Sequence, residues 1–280
     1  MVTIDSDAEV ALRAASAGAA VVREMYGAPL TRYEKGGGDF ATAADIAAEA
    51  AVLDVLRAAR PEDAVTGEES GATGAAGAGR RWLVDPLCGT LNYAVGNMLV
   101  AVNVALRDAS SGIVAAASAD PFSGEVFWTD GAGAWVRDAS GRDDRLIPSA
   151  GSRLVDLNLD PPFPHAPGFR AVELLAMAEF AGGGAGGAGG GAGFRPRVVS
   201  STVAVAWVAA GRRAAYITDG GPGLRLDSVH FAAGIALCEA AGCVVTGIDG
   251  LPVDEGAGGL IVAADRETHG VLLGLAQRQR

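Results

Sequence analysis

Four acidic positions stand where chain elements begin or end, a placement that can hold a divalent cation against a phosphate. Asp45 opens one helical pattern and Asp227 another. Glu68 follows a short apolar run, in Gly67-Glu68-Glu69-Ser70, and Asp85 closes the run Trp82-Leu83-Val84. Element ends of this kind converge at the edge of open α/β sheets, where ligands bind. Carboxylate oxygens are hard donors that suit Mg²⁺ or Mn²⁺. Taken singly, each acid has a plainer reading: Asp45 and Asp227 as helix N-caps, Glu68-Glu69 as a solvated turn. Neither Glu68 nor Asp85 has a basic neighbour in sequence to pair with instead. After Asp85 the chain reads Pro86-Leu87-Cys88-Gly89-Thr90-Leu91-Asn92-Tyr93, a tight turn followed by a helix start. A helix start offers free N–H donors to an anion.

The elements that must position these residues follow from periodicity. Asp7 to Tyr26 and Asp45 to Arg60 carry helical spacing of apolar residues. Val65 and Leu83-Val84 are short strand-like runs. Leu99 to Val136 reads as four strands with turns at Asp108–Ser111, Asp120–Gly124 and Asp130–Gly133. That pattern predicts a largely antiparallel sheet on the first two helices. Further on come a helix at Ala171–Phe180, a Gly/Ala-rich stretch from Ala181 to Gly193, and a helix at Val203–Ala210. Strand Ala214–Thr218, helix Asp227–Ala241, strands Val244-Val245 and Leu260–Ala263, and a helix from Asp265 complete a second mixed sheet with its own helices. The Gly/Ala stretch lacks the Lys-Ser/Thr and the GxGxxG spacing of a phosphate loop, and reads as a low-complexity insert. The expected organisation is one compact unit of two halves, residues 1–145 and 146–280, with Asp227 in the second.

The 280 residues are half apolar and carry a formal net charge of −11. Such a chain repels nucleic acid and anionic lipid, so neither nucleic acid nor a membrane is expected as a partner. An anionic substrate then needs a local positive centre, which a bound metal supplies. Three cysteines without a CxxC pair, and no apolar run long enough to cross a bilayer, lead us to expect a reducing cytoplasm.

Three ordered segments resemble the signatures of the inositol monophosphatase family, the lithium-sensitive Mg²⁺-dependent phosphatases that also include fructose bisphosphatases. They are Gly67-Glu68-Glu69-Ser70, Asp85-Pro86-Leu87-Cys88-Gly89-Thr90-Leu91-Asn92-Tyr93, and Asp227-Ser228-Val229-His230-Phe231-Ala232-Ala233-Gly234. Asp39–Asp45 and Glu239–Thr246 resemble further family segments. The ending Thr90-Leu91-Asn92-Tyr93 is closer to the inositol-phosphate branch than to the nucleotide-phosphate branch. The resemblance implies a layered α-β-α-β-α sandwich of the sugar-phosphatase type, a homodimer, and metal-assisted hydrolysis of a small polyol, inositol, histidinol or sugar phosphate. It further implies that Glu68, Asp85 and the Leu87 carbonyl hold a first metal. Asp85, residue 88 and Asp227 would hold a second. Thr90 and Asp45 would orient and deprotonate the attacking water, Gly89 and Thr90 N–H groups would receive phosphate oxygens, and Asp219 would meet a substrate hydroxyl.

The chain departs from the family at Cys88, where the family has Asp. A thiol is neutral near pH 7 unless activated, and is a poor Mg²⁺ ligand. Three readings follow: a phosphatase with a weakened second site that takes Mn²⁺ or Zn²⁺, a fold kept for another reaction or for regulation, or a nucleophilic cysteine. Leu226 replaces a usual Trp, Ser200-Ser201-Thr202 stands near a usual Gly-Ser, and one residue is inserted before Asp227. His230, a lone histidine on an expected helix, reads as packed or capping.

Overall fold

The computed structural model describes residues 5–29, 31–36, 39–75, 77–159, 193–219, 228–255 and 258–277. The expected helix at 171–180, almost all of the Gly/Ala stretch, and Asp227 lie outside the described residues. The described residues divide into two compact units. The first comprises Met1–Arg145, Ser201–Val203 and the described part of Asp227–Ala240, and the second takes in the remainder. The third-motif helix therefore joins the N-terminal unit, where the sequence placed it with the C-terminal half.

The first unit is built on an eight-stranded sheet. Its strands are β3 (Ala64–Gly67), β4 (Gly71–Thr73), β5 (Arg80–Cys88), β6 (Ala101–Asp108), β7 (Gly112–Ala119), β8 (Val126–Thr129), β9 (Ala134–Arg137) and β10 (Asp143–Arg145). They lie in the order β10-β9-β8-β7-β6-β5-β3-β4. All neighbours are antiparallel except β3 and β5. A separate hairpin pairs β1 (Arg32–Gly36) with β2 (Asp39–Thr42).

Side chains alternate across a strand, so each strand feeds two faces. Trp82 and Val84 of β5, with Val102, Val104 and Leu106 of β6, face α1 (Asp7–Met25) and α2 (Ala43–Ala59) in one core. Leu83 and Ala105 face the other way, onto Ala232, Ala233 and Ala236 of α5 (Ala232–Ala241). Trp82 is fully buried, and its indole N–H donates to Asp63 Oδ2 at 3.0 Å.

The second unit carries a five-stranded sheet ordered β12-β11-β13-β15-β14. Its strands are β11 (Leu154–Asn158), β12 (Arg195–Val198), β13 (Ala215–Thr218), β14 (Val244–Thr246) and β15 (Leu260–Ala263). β11 is parallel to both neighbours, whereas β15 is antiparallel to both of its own, which is the mixed sheet expected. Val155, Leu157, Ile217 and Ile261 pack against Leu272, Leu275 and Ala276 of α6 (Arg266–Gln277). Buried Asp156 pairs with Arg213 at 2.7 Å. Helix α4 (Val203–Ala209) begins where expected. Among the described residues, no helix is long and apolar enough to cross a membrane.

Gly18 of α1 faces Val52 of α2 and Val102 of β6. A Cβ added there would stand 2.8 Å from Val52 Cγ2 and 3.0 Å from Val102 Cγ1. Alanine favours a helix over glycine by about 1 kcal/mol. Overpacking against two stiff valines costs about 1–3 kcal/mol. Gly18→Ala should therefore lower the urea midpoint, and a raised midpoint would show that the helices part freely.

Candidate metal centre

Strand register brings the two central acids together. β3 runs parallel to β5 with Gly67 opposite Val84. The pairing continues one step beyond, through the Glu68 N–H donating to Val84 O at 3.0 Å. Glu68 therefore leaves its strand beside Asp85, at the C-terminal ends of two parallel neighbours, as open α/β sheets place their ligands.

Each carboxylate is held by one oxygen and presents the other. Asp85 is fully buried, and its Oδ1 accepts the Leu87 N–H at 3.2 Å, a turn that Pro86 favours. Its Oδ2 lies 2.8 Å from His230 Nδ1. Glu68 Oε1 accepts from Lys35 Nζ at 2.9 Å, and its Oε2 stands 3.9 Å from His230 Nδ1. Ligand atoms of Glu68, Asp85 and His230 all lie within 4.8 Å of one another. Burial and the Asp85 charge push the Glu68 carboxyl up to about 8. Burial opposes charge on His230, yet the Asp85 hydrogen bond and the two acids lift it to about 9. A buried Glu68 carboxyl raised beside another carboxylate is what a divalent cation relieves, and the oxygens of Glu68 and Asp85 fit such an ion.

Two cations in space answer the absence of a basic neighbour in sequence. Lys35 reaches from the β1–β2 hairpin to Glu68, and also to Glu69 at 2.8 Å. Burial works against the Lys35 charge, but Glu69 and Glu68 hold its pKa above the ordinary lysine value. His230 is the second. It sits on a turn directly ahead of α5, since the helix begins at Ala232 rather than at Asp227. Facing Asp85 there, it is neither packed away nor a cap.

The expected pair Thr90 and Asp45 is in contact. α2 starts at Ala43 with Thr42 as N-cap, and Asp45 closes a capping box from the third helical position. Asp45 Oδ2 accepts the Thr42 N–H and hydroxyl at 2.7 and 2.6 Å. Its Oδ1 accepts from Thr90 Oγ1 at 2.8 Å, so the cap and the Thr90 contact coexist on one side chain. Burial raises the Asp45 carboxyl above its ordinary value, against hydrogen bonds from Thr42 and Thr90. Thr90 Oγ1 also lies 3.2 Å from Leu87 O.

Thr90 opens α3 (Thr90–Ala94), with Gly89 as N-cap at φ 102, a left-handed conformation that glycine adopts without strain. The rest of the motif is structural. Asn92 Nδ2 donates to Leu99 O at 2.9 Å, and the buried Tyr93 hydroxyl donates to Val22 O at 2.7 Å, tying α3 to α1.

Cys88 keeps to itself. Its Sγ accepts the Thr202 N–H at 3.4 Å and lies outside the Glu68–Asp85–His230 group. Burial first, then Asp85, push the thiol well above its ordinary value, which argues against a nucleophilic cysteine. Thr202 is itself held by Asn103 Nδ2 at 2.8 Å. Asp219 follows β13 in the second unit.

Glu49 is a residue that sequence reasoning passed over. It is buried, and its carboxylate accepts the N–H groups of Glu69 and Ser70 at 2.9 and 2.8 Å. Gly67 makes room, for a Cβ there would lie 2.6 Å from Glu49 Oε2. The signal was faint: an acid among the buried Ala48, Val52 and Leu53 of α2, with no spacing rule to link it to Gly67.

These features define a mixed α/β fold with acids at neighbouring parallel strands, where open α/β sheets place their ligands. Comparison with known proteins gives the family. The profile described as the inositol monophosphatase family matches residues 4–280, and the chain belongs to that family. An inositol-1-monophosphatase from Caulobacter vibrioides is 33% identical over 245 residues, 86% of this chain and 88% of that protein. The Nus factor SuhB of Escherichia coli is 32% identical over 244 residues, 86% and 85% of the two chains. Among solved structures, the extragenic suppressor protein suhB from Bartonella henselae superposes with a TM-score of 0.79 at 25% identity, over 97% of this chain and 98% of that one. The fold class expected from the sequence, the mixed α/β fold of inositol monophosphatases, is thereby shown.

Glu49→Ala leaves both site acids in place and frees the loop between them. Partners of metal ligands typically contribute roughly 10–100-fold to metal affinity. Calorimetry should record a divalent-cation affinity weakened by that order in a folded protein, and unchanged affinity would remove Glu49 from the site.

Proposed function

We propose that this protein is a metal-dependent phosphomonoesterase acting on a small polyol, inositol, histidinol or sugar phosphate, as a homodimer. The observation that carries this reading is the 2.8 Å contact between Thr90 Oγ1 and Asp45 Oδ1, placed three and two residues from the Leu87 carbonyl and the Cys88 position. Glu68, Asp85 and the Leu87 carbonyl would hold a divalent cation, which would supply a lowered water pKa and charge stabilisation for the phosphate oxygens.

The chain's own residues supply the rest. A hydroxyl has one proton, and the short contact to the Asp45 carboxylate takes that of Thr90. The Thr90 oxygen is then free to accept a proton from water. Attack forms the new P–O bond as the ester P–O bond breaks. The water proton passes through Thr90 to Asp45, whose burial makes it a stronger base than a solvated carboxylate. The leaving alkoxide takes a proton from solvent. N–H groups of Gly89 and Thr90 receive phosphate oxygens, Asp227 completes the acid set, and Asp219 meets a substrate hydroxyl.

A second reading draws on Cys88 and on the relatives named Nus factor: a member of the fold repurposed for another reaction or for regulation. The net charge of −11 weighs against direct contact with nucleic acid in that role.

A phosphate-release screen across small phosphates with Mg²⁺, Mn²⁺ and Zn²⁺ separates the two. Thr90→Ala and Asp45→Asn should each lower turnover by about 10²–10⁴-fold with little change in metal affinity. Turnover at the wild-type rate in either variant refutes the proton path. Cys88→Asp restores a hard oxygen and a negative charge. It should strengthen second-metal binding and raise phosphate release at limiting Mg²⁺. No release from any phosphate, in wild type or in Cys88→Asp, hands the case to the repurposed reading.

A further inference from the structure

We infer that Glu68, Asp85 and His230 form a mixed nitrogen–oxygen metal site that takes a borderline transition-metal ion of the Zn²⁺ type, in preference to the Mg²⁺ that an all-carboxylate site would favour. The inference rests on the metal-dependent reading above and concerns which ion that site selects. Neither acid is new to it. The new ligand is His230, which the sequence set aside.

Distances support a shared ion. Donors about 2.0–2.2 Å from a tetrahedral Zn²⁺ stand roughly 3.3–3.6 Å apart. Here His230 Nδ1 is 2.8 Å from Asp85 Oδ2 and 3.9 Å from Glu68 Oε2, values on either side of that spacing.

The carboxylates are prepared for one-oxygen coordination. Asp85 Oδ1 is taken by the Leu87 N–H, and Glu68 Oε1 by Lys35, so Oδ2 and Oε2 are the oxygens that face His230. Partners of this kind fix the orientation of ligating side chains. His230 is fixed from the other side, by a turn whose next residues, Ala232 and Ala233, are buried against Leu83 and Ala105. Its side chain keeps 44% exposure, so an ion has access to the ring.

Donor chemistry then sets the preference. Imidazole nitrogen suits Zn²⁺ and its neighbours in the first transition row. Mg²⁺ demands near-octahedral oxygen and gives up water reluctantly, and a nitrogen at this corner deprives it of an oxygen. An ion at Nδ1 takes the place of the ring proton, and two carboxylates with the imidazole then neutral leave two negative charges, which a dication balances.

The test reads the ring itself. The chain has three histidines, so ¹⁵N-imidazole NMR of the histidine-labelled full chain is assignable by substitution. His269 serves as an internal control, since its Nε2 is 2.8 Å from Thr246 Oγ1 in the other unit. Adding Zn²⁺ should shift the Nδ1 resonance that disappears in His230→Gln, and leave that of His269 in place. Calorimetry should find Zn²⁺ affinity lowered on the order of tenfold or more in His230→Gln. In His230→Asp the ratio of Zn²⁺ to Mg²⁺ affinity should fall. Circular dichroism confirms that the variants remain folded. A His230 ring that does not respond to Zn²⁺, or a Zn²⁺ to Mg²⁺ ratio equal in wild type and His230→Asp, overturns the inference. Zn²⁺ on His230 with no phosphate released from any substrate sinks the phosphatase reading and leaves this one standing. Mg²⁺-driven phosphate release with a silent His230 does the reverse.

Discussion

Two carboxylates side by side at the ends of adjacent parallel strands are unstable company, and the surroundings of Glu68 and Asp85 answer that repulsion. Burial first, and then the Asp85 charge, push the Glu68 carboxyl up to about 8. Lys35 takes one oxygen of Glu68, a backbone N–H takes one oxygen of Asp85, and His230 stands between the remaining two. Each arrangement draws on a different element: a hairpin strand, the irregular end of β5, and the approach to a helix. The site is a point where separate parts of the first unit are compelled to meet.

Glu49 and Asp45 show the same economy along a single helix. Both lie on α2 and are buried, and each uses both carboxylate oxygens. Asp45 caps its own helix with one oxygen and holds Thr90 with the other. Glu49 secures the loop after β3. A helix that packs its apolar face on α1 thus orders two stretches of chain that carry chemistry, so core packing and site geometry share one support.

Much of this was legible in the sequence, for physical reasons that differ by element. α1, α2 and the strands β6 to β9 follow from apolar periodicity and from Asp-rich turns, signals that are local. The meeting of Thr90 with Asp45 and of Glu68 with Asp85 was legible through the family resemblance. Lys35, Glu49 and His230 were not, because their roles depend on pairings across 33, 20 and 145 residues that no local pattern encodes. His230 was hidden further by an error of one helical turn, since a helix drawn from Asp227 places it on a packed face. The same distance in sequence separates α5 from the strands it packs on, for its alanines meet Leu83 and Ala105.

β5 pairs with β6 through Asp85 opposite Asn103 and Cys88 opposite Ala101, so three steps on one strand match two on the other. That irregularity is a bulge, and it re-aims the residues it contains. Its shape belongs to the backbone and is independent of which side chain stands at position 88. A lineage can therefore exchange the donor there by single substitutions, oxygen for sulfur and back, while the scaffold's geometry persists. A deletion of one residue in the same stretch would restore regular pairing and turn the following side chains to the opposite face. The bulge makes this segment permissive to changes of letter and intolerant of changes of length, which is how a family can diversify its chemistry without losing its fold.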